Sequence, residues 1–402
     1  MQSCPTASYR WVIVGVLWLG HAISFMNMAS LGTLAPFIKT DLLLTSTQIG
    51  LFISVLSVGA SLSQIPAGVI TDRLGVRIIL SLSVALMGFF LAALSLSPSF
   101  LAALAVLFLY GLGSGVIIPA SSRSVMDWFP AAGRATAMGV KQTGVNFGGI
   151  LAGILLPALA FYFSWRQSLF LVGAAELLLA FFIYKMIRES PLVAPKSAST
   201  AVPKRIFQVA FSCKMLILGG IGFCFMASQF CFSAYLTLFL TAELHFSVLQ
   251  AGRYFALSYL AGAAARLFWS LISDYYLGGR RKGILLFITG IMLLSSFFLG
   301  LISFLPSLSP FTLIAVLAFG ISGIGWNAIY LTILGESLGK EFIGLATGAG
   351  YFWGFMGSLI CPPLFGFLVD VSGSYAYAWL FLVGCAAAAI LLLVFYIEPH
   401  EK

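Results

Sequence analysis

The sequence predicts an all-α membrane protein: twelve transmembrane helices in two six-helix bundles related by pseudo-two-fold symmetry. Three observations carry that expectation. Hydrophobic residues make up 61% of the 402 and charged residues only 8%, with mean hydropathy +1.06, whereas soluble globular chains carry about 25% charged residues. The apolar runs approach the ~20 residues that a helix needs to cross the hydrocarbon core, and none shows the alternating segments of a barrel, about 10 residues each. One stretch alone reads as a linker, "RESPLVAPKSASTAVPKR" (188–205), and it leaves six runs on either side.

In order, the spans fall at 11–35, 48–70, 78–97, 101–126, 136–163 and 168–187, then at 210–240, 249–272, 283–304, 311–335, 343–369 and 377–397. The halves are thus 1–187 and 210–402, joined by a cytoplasmic linker at 188–209. The first span follows a short polar start, runs through His21 and Asn27, and lacks a small-residue cleavage site. It is therefore expected to remain as a helix and not to be cut away as a leader. The second span ends in "GVITDRLGVR" (68–77) and the eighth in "SLISDYYLGGRRK" (270–282), an echo that sets Asp72 against Asp274. The fourth ends in "PASSRSVMDWFP" (119–130), where Arg123 is expected to pair with Asp127 across one turn. The fifth opens on "GVKQTGVNFGG" (139–149), which places Lys141 inside an apolar run, and the sixth holds Glu176. A second echo relates Asp127 and Gly139 to Glu336 and Gly348, both pairs 209 residues apart. The eighth span carries Arg266, the tenth "GWNAIY" (325–330) and the eleventh "GAGYFWG" (348–354).

Basic residues orient the chain. With the N-terminus inside, cytoplasmic ends and loops collect Arg10, Arg73, Arg77, Arg134, Lys185, Arg188, Lys196, Lys204, Arg205, Lys214, Arg280, Arg281, Lys282, Lys340 and Lys402, against Lys39, Arg166 and Arg253 outside. That bias puts both termini in the cytoplasm and the chain in the cell (inner or plasma) membrane. It also accounts for most of the net charge of +9, so nucleic acid is not expected as a partner; the lipid bilayer is.

Gly68, Asp72, Arg73, Gly75 and Arg77 form G-x-x-x-D-R-x-G-x-R between spans two and three, with a degenerate copy between spans eight and nine. This resembles the signature loop of the major facilitator superfamily, and the resemblance covers the whole chain. It implies a secondary transporter working by alternating access. The loop charges then read as a cytoplasmic gate: Asp72, Arg73, Arg77 and Asp127 on one side, and Asp274, Arg280, Arg281 and Glu336 on the other. Asp72 would face the start of span eleven near Gly344, and Asp274 the start of span five near Ala135. Such contacts, of about 0.3–2 kcal/mol, can close and reopen, and the other charges would complete the cluster.

An ionisable residue within a span is costly and is read as functional by default. Rise per residue puts His21 about 16 Å from Arg10, Lys141 about 10 Å from Arg134 and Arg266 about 12 Å from Asp274, a shared level in the inner half of the membrane. The resemblance makes spans one, four, five, seven, eight, ten and eleven line the cavity, so the cavity is basic and suited to a small organic anion. Arg266 would grip a carboxylate through paired hydrogen bonds, and Lys141 and His21 would add to it. Asn27, Gln142, Asn146, Gln229, Asn327 and Tyr330 complete the candidate substrate set. His21 and Glu176 are the candidates for carrying a coupling proton, with packing and a hydrogen bond to a neighbouring helix as their alternatives.

"GAAARLFWSLISD" (262–274) is similar to span eight of monocarboxylate and oxalate/formate carriers. Two departures stand: Gly262 replaces the acidic residue of the former, and 343–369 lacks the lysine of the latter. "PASSRSVMDWFP" with "GWNAIY" is most similar to the anion:cation symporter branch. The expected cargo is therefore a small carboxylate, coupled to a proton or a counter-anion, carried by a monomer. A broad exporter of amphipathic drugs is the alternative, though such cargo calls for a cavity carboxylate. The six cysteines form no CxxC pair and read as packing residues. The three histidines are too scattered to bind metal. No nucleotide loop or catalytic constellation is present, so neither a cofactor nor enzymatic activity is expected.

Overall fold

The computed structural model describes residues 6–129, 131–188, 211–276, 281–337 and 343–396. Apart from Arg188, the linker lies outside them. The described chain is helical, with no strand. Its first half forms α1 (Thr6–Thr33), α2 (Ala35–Asp41), α3 (Ser46–Leu74), α4 (Val76–Ser95), α5 (Phe100–Trp128), α6 (Ala131–Tyr162) and α7 (Trp165–Met186). The second forms α8 (Cys213–Leu238), α9 (Val248–Leu271), α10 (Arg281–Phe304), α11 (Thr312–Phe319), α12 (Asn327–Ser337), α13 (Ile343–Ser372) and α14 (Tyr375–Phe395). Single π turns extend α8 (Phe239–Glu243), α9 (Ile272–Tyr276) and α11 (Gly320–Ile324).

Among the described residues, eleven helical segments are long and apolar enough to cross a membrane. The predicted eighth span is not among them. As α9 it is a full-length helix of 24 residues, but it carries both Arg253 and Arg266. The chain is a multi-pass membrane protein whose least apolar long helix holds the arginine singled out above.

Two compact units arise, Met1–Leu42 with Val55–Thr200, and Leu43–Ser54 with Ala201–Lys402. The same packing pattern recurs inside each. In the first unit α1 lies along α6, and α4 lies between α5 and α7. In the second, α8 lies along α13, and α10 packs on α11 and α14. Without a hydrophobic drive between helices in lipid, such pairs depend on close backbone approach through small residues. The "GVNFGG" run does this on α6: a Cβ at Gly144 would collide with the Trp18 carbonyl, and one at Gly148 with that of Ala22. Serines cap several of the helices. Ser99, Ser164 and Ser374 accept from the amides of Ala102, Gln167 and Ala376, and Ser247 with Gln250 forms a reciprocal capping box on α9.

The opening turns of α3 (46–54) pack within the second unit. Asp370, near the end of α13, accepts from the Ser46 amide (2.8 Å), the Thr47 amide (2.8 Å) and the Thr47 hydroxyl (2.6 Å). The Tyr235 hydroxyl stands 2.7 Å from the Ser46 carbonyl and 2.8 Å from that of Pro362, placed to donate to either. Pro363 has no amide hydrogen for the Leu359 carbonyl four residues back, and the Ser54 hydroxyl donates to that carbonyl instead.

Candidate functional site

Two polar constellations sit inside the helical units, and each is built around a cation. In the first unit, Lys141 on α6 is 2% exposed. Its Nζ donates to the hydroxyls of Ser121 and Ser122 on α5, at 3.0 Å each. The Ser121 hydroxyl also lies 2.9 Å from Nε2 of the buried His21 on α1. An ammonium has three donors, so two hydroxyls leave one unused, and no carboxylate pairs with Lys141 among the described residues. The side chain is buried and anchored by hydroxyls.

In the second unit, Arg266 on α9 is half-buried. Among the described residues its one hydrogen-bond partner is a backbone carbonyl: Nε donates to Ile324 at 3.4 Å, a long bond. Ile324 closes the π turn that follows α11, and a π turn releases backbone groups from the regular ladder. The neighbouring Trp269 uses the same turn, donating to the Ile321 carbonyl at 2.8 Å. Tyr351 and Tyr259 are the electrostatic neighbours of the guanidinium. The Tyr351 hydroxyl donates to Asn327 at 3.0 Å, and the Tyr259 hydroxyl lies 2.7 Å from that of Ser233. Among the described residues no carboxylate meets Arg266, and its two terminal nitrogens keep their donors.

The other candidates divide. Gln229 accepts from the Trp326 indole at 3.0 Å, and Gln142 and Asn327 are half-buried. Asn146 is buried with its amide oxygen unpartnered. Tyr330 is buried, its hydroxyl 3.0 Å from the Leu218 carbonyl and 3.3 Å from that of Gly350, so it serves helix packing. Asn27 also turns inward, donating through Nδ2 to Oε2 of Glu176 on α7 at 2.6 Å. Ser121, Ser122 and Tyr259 were not among the candidates. The pair of adjacent serines in "PASSRS" was the one available signal for the first two.

Of the gate residues, the side chains of Asp72 and Asp274, and all of Arg280, lie outside the described residues. Arg123 pairs with Asp127 at 2.9 Å. Arg77 donates to the Tyr184 carbonyl at 2.7 Å and stacks over that ring, and Arg73 is exposed. Arg281 donates to Ser273 and lies 3.5 Å from Glu336.

Comparison with known proteins follows the same lines. The family model described as Major Facilitator Superfamily matches residues 17–355 and 218–402. A hexuronate transporter of Bacillus subtilis (strain 168) is 27% identical, over 96% of this chain and 94% of its own. A probable galactarate/D-glucarate transporter of the same organism is 25% identical, over 98% and 93%. A bacterial homolog of the human lysosomal transporter Spinster shares the fold, with TM-score 0.77 at 19% identity over 98% of this chain and 97% of that one.

Proposed function

The chain belongs to the Major Facilitator Superfamily, and from that premise we propose that it is a secondary active transporter of a small hydroxylated carboxylate, a sugar acid. The observation that carries this reading is Arg266, a guanidinium in a membrane-spanning helix whose terminal nitrogens meet no carboxylate among the described residues. A buried or half-buried cation without a counter-charge is costly, and a substrate carboxylate would supply that charge through two parallel hydrogen bonds. Lys141 offers a second positive site of gentler grip. Within the same unit as Arg266, Asn327, Tyr351 and Gln229 are the amides and hydroxyl suited to sugar hydroxyls. The relatives named for hexuronate and for galactarate/D-glucarate transport support the same class of cargo.

Both termini lie in the cytoplasm, as the distribution of basic residues supports, and we take the chain to act as a monomer in the cell membrane. Lacking any nucleotide-binding loop in its sequence, it draws on a proton or a counter-anion. The test is uptake of labelled glucuronate, galacturonate and galactarate into proteoliposomes of the purified chain. Accumulation of at least one, competed by the others and not by neutral hexoses, is the expected result. Equal competition by neutral sugars, or no uptake of any acid, would sink the proposal.

A further inference from the structure

A third polar cluster takes no part in either cation site. Glu176, in the middle of α7, is 1% exposed. Its Oε2 accepts from Asn27 Nδ2 at 2.6 Å, while its Oε1 has no hydrogen-bond partner. The amide oxygen of Asn27, itself 2% exposed, is also without a partner, and so is the hydroxyl of Tyr110 on α5, 2% exposed. Tyr110 interacts with both of the other two. Three buried polar atoms are therefore unsatisfied side by side, and two of them are acceptors.

A single hydrogen resolves both acceptors. A carboxyl group and a carboxamide pair through two parallel bonds, N–H to one carboxyl oxygen and O–H to the amide oxygen. The first of these bonds is present; the second needs only a proton on Oε1. A carboxylate here would instead leave a charge buried without a cation, which is strongly unfavourable. Among the described residues, no charged side chain faces Glu176 to change that balance. On α1 the other ionisable groups are Tyr9 and Arg10 at the cytoplasmic end, and His21, which is engaged with Ser121. On α4 there is Arg77 alone, which is spent on Tyr184. On α5, Arg123 and Asp127 pair with each other. On α6, Arg134 donates to backbone carbonyls, Lys141 is held by Ser121 and Ser122, and Tyr162 ends the helix. On α7 itself, Arg166 pairs with Asp41, and Tyr184 and Lys185 lie at the far end.

We infer that Glu176 is a proton-binding site of the first unit and carries the coupling proton of transport, an inference that rests on the sugar-acid reading above. His21 is less suited to that task, because a proton there would set a second cation on the serine that already holds Lys141. On release, the proton passes from Oε1 to water. The carboxylate left behind keeps the Asn27 N–H and turns the Tyr110 O–H towards itself. Asn27 then loses one of its two bonds to α7, so the position of α1, which also carries His21 beside the Lys141 site, depends on whether the proton is present. Binding of anion and proton to one unit are in this way linked, and the linkage is reciprocal.

Glu176→Gln reproduces the protonated side chain, since its amide can donate where the acid did. The protein should fold, bind sugar acid with the affinity the wild type reaches at low pH, independent of pH, and exchange it between the two sides of a proteoliposome. It should fail to accumulate substrate in response to an imposed pH gradient. Infrared difference spectra of the wild type on substrate binding should show the carbonyl stretch of a neutral carboxyl group, absent in Glu176→Gln and shifted in Asn27→Ala. Retained pH-driven accumulation in Glu176→Gln overturns the inference, and so does a wild-type spectrum without that band. If Glu176→Gln does not fold, the wild-type and Asn27→Ala spectra decide alone. If the wild type transports none of the acids, the sugar-acid reading falls, while the infrared difference between wild type and Glu176→Gln, both without substrate, still reports whether Glu176 holds a proton.

Discussion

A guanidinium held by one long bond to a backbone carbonyl is geometrically free to receive a planar anion, and its replacement by a point charge should be felt. Arg266→Lys is expected to weaken sugar-acid binding about a hundredfold, ~2.7 kcal/mol, with an unchanged melting temperature in detergent. Lys141→Gln should weaken it less, about tenfold or ~1.4 kcal/mol, because its ammonium is already shared between two hydroxyls. Calorimetry paired with melting curves separates these outcomes; a collapsed melting temperature for Arg266→Lys would mark a structural arginine. Both cations stood out in the sequence because a charge within an apolar run has few bland explanations. Ser121 and Ser122 did not, since a hydroxyl in a helix satisfies itself on the preceding turn and is common in spans. Asn27 and Tyr330 read as cavity residues for the converse reason. Whether a polar group in a span points at substrate, at another side chain or at a neighbouring helix's carbonyl depends on which helix lies beside it, and that is a property of packing.

At the scale of the element, close approach decides which glycines matter. Gly148 faces the Ala22 carbonyl of α1 with no room for a side chain, while a Cβ at Gly139 on the same helix meets nothing within 4 Å. Gly148→Ala should therefore destabilise the protein by about 1–3 kcal/mol through overpacking. Gly139→Ala should leave stability equal or raise it by up to ~1 kcal/mol by removing a flexible residue from a helix interior. Thermal melting of the two variants in one detergent checks the pair, and a similar loss for both would contradict the assigned contacts. Helix positions were legible because apolar runs bounded by polar loops are long and unambiguous. The π turns were not. A π turn accommodates one more residue per turn without any marked change in composition, so Gly320–Ile324 passes in the sequence as ordinary helix. That turn supplies the carbonyl to which Arg266 donates, so part of the site was hidden with it.

For the whole molecule, the repeated halves were visible in sequence as two echoes and one linker, and the structure repeats the same helix pairs within each unit. The allegiance of residues 43–54 was invisible. It rests on contacts between residues more than three hundred positions apart, Ser46 and Thr47 with Asp370, and no local pattern announces them. The excess of basic residues in alternate loops of the sequence leads to a direct check on topology. A fluorescent protein fused after residue 402 should fold and fluoresce in the cytoplasm, whereas alkaline phosphatase fused there should be inactive. Active phosphatase at that position would invert the proposed orientation.

The carboxylate of Asp370 covers two amides that the first turn of α3 cannot satisfy by itself. Those amides are a clock. While the carboxylate is seated, the hydrogens of Ser46 and Thr47 are shielded; whenever the turn departs, water reaches them and deuterium replaces hydrogen. Their exchange rate thus measures how often this end of α3 lets go, without a label, a probe or a substrate. Compared with and without sugar acid, the same two hydrogens would time how cargo alters the release of the helix.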